Sequence, residues 1–148
     1  MKDLMYHFTP PSVPHGISAD GNCQFKALSW ASFGTPERHL GIRRVVCDYL
    51  DEHWDVYKDS VVRDDYVQNM RRAGEWGDHI TLDAFCNAYN DHVMVLRPDS
   101  TPSLFGPRNS SESSPNYKAI IYSGSHYSAC DPWFSTPTRQ YIRRWQTE

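Results

Sequence analysis

Residues 20–30 read DGNCQFKALSW, and this stretch changes from a tight turn into a helix at a cysteine. Gly21 permits the turn, and the apolar residues that follow, up to Phe33, have the spacing of a short buried helix that Gly34 ends. Cys23 is therefore expected in the first helical turn, close to unpaired backbone N–H groups and the positive end of the helix dipole. Because both favour a thiolate, Cys23 is the predicted reactive thiol.

The rest of the chain predicts an α+β fold, with helices first and strands later. Helices are predicted over 23–33, from Thr35 through Trp54, over 60–73, and from a cap at Thr81 through Tyr89, and strands over 92–98, 117–123 and 126–130. Prolines make residues 1–18 an expected extended arm, and the Ser-, Pro- and Asn-rich segment 98–116 is an expected flexible loop. The tail 136–148 is compatible with a short helix or a last strand.

The charge and hydropathy pattern excludes several classes of partner. The formal net charge is −3, which provides no basic field for nucleic acid. No apolar run approaches the roughly 18 residues that a membrane span needs, and the N-terminal residues lack the apolar core of a signal peptide. We therefore expect a cytoplasmic or nuclear monomer without nucleic-acid or membrane partners.

The four cysteines are far apart in the sequence: Cys23, Cys47, Cys86 and Cys130. None belongs to a CxxC pair, so a zinc site built from local ligand pairs is not expected, and a disulfide framework is not expected without a signal peptide. The sequence predicts neither a metal nor a cofactor.

His126 is the histidine with the most informative context. It opens a predicted strand directly after the Gly-Ser turn of SGSHYSAC, where its side chain can face a cleft. A cysteine early on a helix and a histidine late on a strand is the arrangement of cysteine proteases. The turn at Gly21 can also aim backbone amides at one point, as an oxyanion hole requires.

The quoted stretch resembles the DGNCxFxALS signature around the nucleophile of the ovarian tumour (OTU) family of deubiquitinating cysteine proteases. The region from Tyr66 through GEWGD at 74–78 to the strand VMVL is similar to the same family, and His126-Tyr127 falls at its catalytic histidine and the aromatic residue after it. This resemblance implies a papain-like OTU fold, a small central β-sheet flanked by helices, in a single catalytic domain over 1–148.

The resemblance also implies the chemistry of the matched residues. Cys23 would attack the isopeptide carbonyl after the C-terminal glycine of ubiquitin or a ubiquitin-like modifier. His126 would accept the thiol proton and later protonate the leaving lysine amine. The backbone amides of Asp20, Gly21 and Cys23 would hold the oxyanion, with the Asp20 side chain bracing the turn.

Three further residues are implied at the substrate side of the site. Tyr127 and the Trp76-Gly77 region would shape the site and the approach to it. The alternative for Trp76 is core packing, because a tryptophan buries a large apolar area.

The third catalytic residue departs from the family pattern. Many members carry Asp or Asn two residues after the histidine, and this chain has Ser128 there. A hydroxyl can accept a hydrogen bond from the ring but lends no charge to an imidazolium. The hypotheses are Ser128 itself, an acid such as Asp20 or Asp131, or a Cys-His dyad. We favour Asp20 or a dyad, because Asp131 would lie too far along the strand and on its opposite face.

Two other functions compete with a deubiquitinase. The missing Asp or Asn suggests a non-catalytic ubiquitin-binding module, although the retained Cys23 and His126 argue against it. Small OTU-like proteases also occur in viral proteins, so a cysteine endopeptidase that processes a viral polyprotein is the second alternative.

Overall fold

Helices occupy the first part of the chain and strands the second, which confirms the predicted α+β class. The computed structural model describes residues 17–98, 100–111 and 115–129. Its helices are α1 Cys23–Phe33, α2 His39–Glu52, α3 Trp54–Tyr57, α4 Tyr66–Met70 and α5 His79–Tyr89, and its strands are β1 His92–Leu96, β2 Ser103–Phe105, β3 Tyr117–Ser123 and β4 His126–Ala129. The predicted arm up to residue 16, the tail 136–148, Cys130 and Asp131 lie outside the described residues.

Helix α1 has the predicted bounds because the chain supplies a clear stop and a new start. Gly34 takes the left-handed conformation at φ 73°, and its N–H donates to the Trp30 carbonyl. The Thr35 side chain then accepts from the Glu37 N–H and opens a 3-10 turn, Pro36–Arg38, that runs into α2. The predicted helix through Trp54 is thus a 3-10 turn followed by α2 and α3.

The predicted helix over 60–73 is wrong over most of its length. A 3-10 turn covers Lys58–Ser60, Val62 is fully exposed, and only α4 is helical. The helix is shorter than predicted because α4 buries only two apolar residues, Val67 and Met70, which lie one helical turn apart. Little more than one helical turn is therefore tied to the core.

Helix α5 begins earlier than the predicted cap at Thr81. The Asp78 carboxylate accepts from the N–H groups of Ile80 and Thr81, and the Thr81 hydroxyl accepts from the Asp78 N–H. These reciprocal bonds form a capping box in which the roles of the two residues differ from the prediction. Asp78 is the N-cap, and Thr81 is the third helical residue.

The described strands form a mixed four-stranded sheet in the order β2-β1-β3-β4. Strands β1 and β3 are parallel, and β2 and β4 are antiparallel to their neighbours. The predicted loop 98–116 thus contains strand β2, whose three residues are too short to show an alternating pattern. Gly124 and Ser125, both at positive φ, make the tight turn between β3 and β4.

The two faces of the sheet belong to different apolar clusters. One face joins the apolar sides of the helices in the main core through Val93, Val95, Ile120 and Ala129. The other face carries a smaller cluster: Met94, Leu96, Ala119 and Ile121. Alternation along β4 therefore places Tyr127 on the helix side and Ser128 on the other side.

Candidate active site

The Cys23 sulfur lies beside the outer edge of β4. Cys23 is the first residue of α1, and its Sγ accepts a hydrogen bond from the Tyr127 N–H at 3.4 Å. Strand β4 pairs with β3 on its other side, so this N–H points away from the sheet. The predicted nucleophile therefore lies against the backbone of the residue next to His126.

The thiol keeps its proton more firmly than an ordinary cysteine. Cys23 is 1% exposed, and this burial raises the pKa of its thiol, while the Tyr127 N–H lowers it. The nearby Asp20 carboxylate raises the pKa further, and the backbone amides of Gln24 and Cys23 lower it. The expectation of a lowered pKa is not met, because desolvation outweighs the helix start. Attack by this sulfur therefore needs a base, which is the role predicted for His126.

His126 has no orienting partner among the described residues. Its Nδ1 is buried and makes no hydrogen bond there. Ser128 lies on the same side of β4, yet no hydrogen bond joins it to the ring. The Asp20 carboxylate instead accepts from the Asn22 N–H at 2.9 Å and pairs with Lys26 at 3.8 Å. The third catalytic residue and the Cys-His dyad therefore both stay predictions.

The turn before the nucleophile is held by its own hydrogen bonds. The Asp20 N–H donates to the Ser18 carbonyl at 2.8 Å, and the Cys23 N–H donates to the Asp20 carbonyl at 3.1 Å. The Asp20 side chain braces the turn through Asn22, as the resemblance implied. Of the three predicted oxyanion donors, the Gly21 N–H is the one with no acceptor among the described residues. It is therefore the candidate oxyanion donor of the three, in a residue that the fold buries.

The loop 74–78 is attached to the two neighbours of the nucleophile. The Gly74 N–H donates to Asn22 Oδ1 at 2.8 Å, and Gln24 Nε2 donates to the Asp78 carbonyl at 3.1 Å. Between these attachments Trp76 is 49% exposed, which excludes the alternative of core packing. The loop therefore presents Trp76 at a position fixed relative to the nucleophile.

The other two residues predicted at the substrate side have mainly supporting contacts. Tyr127 packs against Tyr122 with ring centroids 4.7 Å apart, and burial raises the pKa of its phenol. Gly77 permits close packing, because a Cβ there would lie 2.3 Å from Gln24 Oε1. Tyr127 thus lies beside the Cys23 sulfur, and Gly77 lets the loop pack closely against α1.

Arg43 contacts the nucleophile turn, although the sequence did not predict a role for it. The side chain is 2% exposed and donates to Gly21 O at 3.1 Å, Asn22 Oδ1 at 3.0 Å, Met70 O at 2.9 Å and Glu75 O at 3.0 Å. It therefore joins the nucleophile turn to the loop 74–78. Its position on the apolar side of α2, among Ile42, Val46 and Cys47, was the available signal.

Neither a metal site nor a membrane span is present in the described parts of the chain. No group of three or more His, Cys, Asp and Glu side chains there is arranged to hold a metal ion. None of the helices described is both long and apolar enough to cross a membrane.

Comparison with known proteins identifies relatives of this chain. The chain is 43% identical over 94 residues to OVARIAN TUMOR DOMAIN-containing deubiquitinating enzyme 10 of Arabidopsis thaliana; the match covers 62% of this chain and 25% of that protein. The chain thus spans about a quarter of the length of this curated relative.

Solved structures share the fold. The OTUD1 OTU domain has a TM-score of 0.68 at 20% identity, with 78% of this chain and 82% of that chain covered. An OTU domain in complex with ubiquitin has a TM-score of 0.65 at 22% identity, with 78% and 66% covered. The family model of the OTU-like cysteine proteases matches residues 18–130. The chain therefore belongs to the family of OTU-like cysteine proteases.

Proposed function

We propose that this chain is a thiol-dependent deubiquitinase that hydrolyses the isopeptide bond after the C-terminal glycine of ubiquitin or a ubiquitin-like modifier. The contact between the Cys23 sulfur and the Tyr127 N–H carries the proposal, because it supports a pairing of Cys23 as nucleophile with the neighbouring His126 as base. The relative with 43% identity is named a deubiquitinating enzyme, and one structural relative is in complex with ubiquitin. A cytoplasmic monomer that needs no cofactor is part of the same proposal.

The reaction divides into two acyl transfers. His126 takes the Cys23 proton as the sulfur attacks the isopeptide carbonyl, and the Gly21 N–H donates to the developing oxyanion. Collapse of the tetrahedral intermediate breaks the C–N bond, and His126 returns the proton to the lysine amine. Water then attacks the thioester, His126 accepts its proton, and the thiol is restored as the carboxylate leaves.

Trp76 is the proposed contact for the extended C-terminal tail of the substrate. An exposed tryptophan in a held loop offers a large apolar surface at low entropic cost, as binding-site aromatics commonly do. Its loop is attached on both sides of Cys23, so the contact would guide the scissile bond toward the sulfur.

The test is covalent capture by ubiquitin that carries a C-terminal electrophile. The wild-type chain should form a stable adduct, and Cys23→Ala should form none. Cys47→Ala is the matched control, because Cys47 is also a buried free thiol and should leave capture unchanged. An adduct on Cys23→Ala would show that the nucleophile is misassigned.

The same samples test the two alternatives. Ubiquitin binding without capture or turnover would support a non-catalytic binding module. Cleavage of peptide bonds in a polyprotein, without cleavage of isopeptide-linked ubiquitin, would support an endopeptidase. Cleavage of linkage-defined diubiquitins and of other ubiquitin-like conjugates would define the modifier and linkage.

A further inference from the structure

The guanidinium of Arg43 has an unusual set of partners for a buried cation. Its nitrogens donate to three backbone carbonyls and one side-chain amide oxygen, and the group lies 4.4 Å from the centre of the Phe25 ring. No carboxylate accepts a hydrogen bond from it within the described residues. Its buried Nε makes no hydrogen bond to a described residue, so the two Nη atoms make all of its hydrogen bonds to the carbonyls and to Asn22.

Two of those partners belong to the nucleophile turn. One Nη atom donates to both the Gly21 carbonyl and the Asn22 side chain. Gly21 also supplies the N–H that no described acceptor engages, so the orientation of that donor depends on how Gly21 is held. Asn22 Oδ1 in turn accepts from the Gly74 N–H. Arg43 therefore holds the turn through both Gly21 and Asn22.

The other Nη atom holds the segment that leads to the Trp76 loop. It donates to the carbonyls of Met70 and Glu75. One planar group thus sets the turn and the loop in a common register, which a lysine cannot reproduce because its ammonium lacks the fork geometry.

We propose that Arg43 is a positioning residue for the acyl-transfer reaction, fixing the oxyanion donor at Gly21 and the loop 74–78 relative to Cys23. The inference rests on the proposed function, since it assigns a role within that reaction. Arg43 does not touch the reacting atoms, so its effect should appear in turnover rather than in the reactivity of the thiol itself.

The experiment compares three variants with wild type. Arg43→Met keeps the apolar stem and removes the fork, and Arg43→Lys keeps the charge. Arg71→Met is the matched control, because Arg71 joins Asp48 and Asp51 of α2 to the same segment without touching the turn. Each is assayed for thermal unfolding, for kcat and KM on a ubiquitin substrate with a fluorescent leaving group, and for alkylation of Cys23 by iodoacetamide, followed by mass spectrometry.

A misplaced oxyanion donor should lower kcat of Arg43→Met by about 30- to 100-fold, and a displaced loop 74–78 should raise KM by no more than the roughly tenfold expected for loss of Trp76, with the alkylation rate within about threefold of wild type. Arg43→Lys should show a smaller loss of the same kind, and Arg71→Met should retain wild-type kcat. Alkylation needs no oxyanion donor. If Arg43 served folding alone, its loss would therefore lower the alkylation rate and kcat together.

Several outcomes would overturn the proposal. Wild-type kcat in folded Arg43→Met or Arg43→Lys would do so, as would equal losses in Arg43→Met and Arg71→Met, or parallel loss of alkylation and turnover. If Arg43→Met does not fold, Arg43→Lys decides; failure of both to fold would assign Arg43 to folding alone. Failure of the deubiquitinase proposal is distinct, because wild type would then not be captured by electrophilic ubiquitin.

Discussion

Gly21→Ala is the substitution that the geometry of the nucleophile turn constrains most sharply. A Cβ placed on Gly21 would lie 1.5 Å from the Gly74 carbonyl oxygen and 2.2 Å from the carbonyl carbon. Real Cβ atoms do not approach closer than 3.0 Å, so the turn and the loop must separate by at least 1.5 Å. Both atoms belong to the Gly74 backbone, so no flexible side chain can move aside to relieve the clash. A misplacement of about 1 Å can cost about 100-fold in rate, so kcat/KM should fall by about 100-fold or more.

The assay is hydrolysis of a ubiquitin substrate with a fluorescent leaving group, together with thermal unfolding. Overpacking of this kind should also lower the free energy of unfolding by about 1–3 kcal/mol. Gly41→Ala is the matched control, because Gly41 lies in α2 with nothing within 4 Å of its added Cβ. It should leave kcat/KM unchanged and stabilise the protein by about 1 kcal/mol through helix propensity. Folded Gly21→Ala with kcat/KM within about threefold of wild type would refute the reasoning.

Three other predictions concern substrate contact, the third residue and pH. Trp76→Ala should raise KM by about tenfold with an unchanged melting temperature, whereas Leu40→Ala, which removes a similarly exposed apolar side chain, should change neither; equal KM values would exclude the contact. Ser128→Ala should keep kcat/KM within about threefold, because no hydrogen bond joins Ser128 to the ring, and abolished turnover in a folded variant would contradict the dyad. Burial raises the pKa of Cys47 from 9.0 to about 11, so its protonated form stabilises the fold below pH 9, and up to about 2–3 kcal/mol is lost as pH rises through 11. Cys47→Ala should flatten this loss in chemical denaturation between pH 9 and 11, and an unchanged slope would reject the assignment.

The sequence predicted the elements that local signals define. Helix α1 ends at Gly34 because only that position offers a left-handed stop, and the β3-β4 hairpin closes at Gly124 because two positive φ angles follow in succession. Cys23 and His126 were also predicted, since each lies at the start of such an element. The fold adds the hydrogen bond from the Tyr127 N–H, next to His126, to the Cys23 sulfur.

Other features depend on which distant residues the fold brings together. Arg43 lies at the helical spacing of the buried residues of α2, but a charged side chain is seldom fully buried, so the sequence alone did not predict its burial. Arg43 can be buried because the carbonyls of residues 21, 70 and 75, which are distant from it in the sequence, accept its hydrogen bonds. The raised pKa of Cys23 likewise reflects how completely the fold covers the sulfur, which helix position alone does not reveal.

The double attachment of the loop 74–78 limits how this site can be redesigned. Gly74 abuts the Gly21 backbone, Gly77 has no room for a side chain, and Asp78 caps α5. The Glu75 backbone is held by Arg43, but its side chain, like that of Trp76, takes no part in the attachments. A library that alters modifier preference without disturbing the nucleophile should therefore randomise positions 75 and 76 alone, a space of about 400 sequences that can be screened exhaustively.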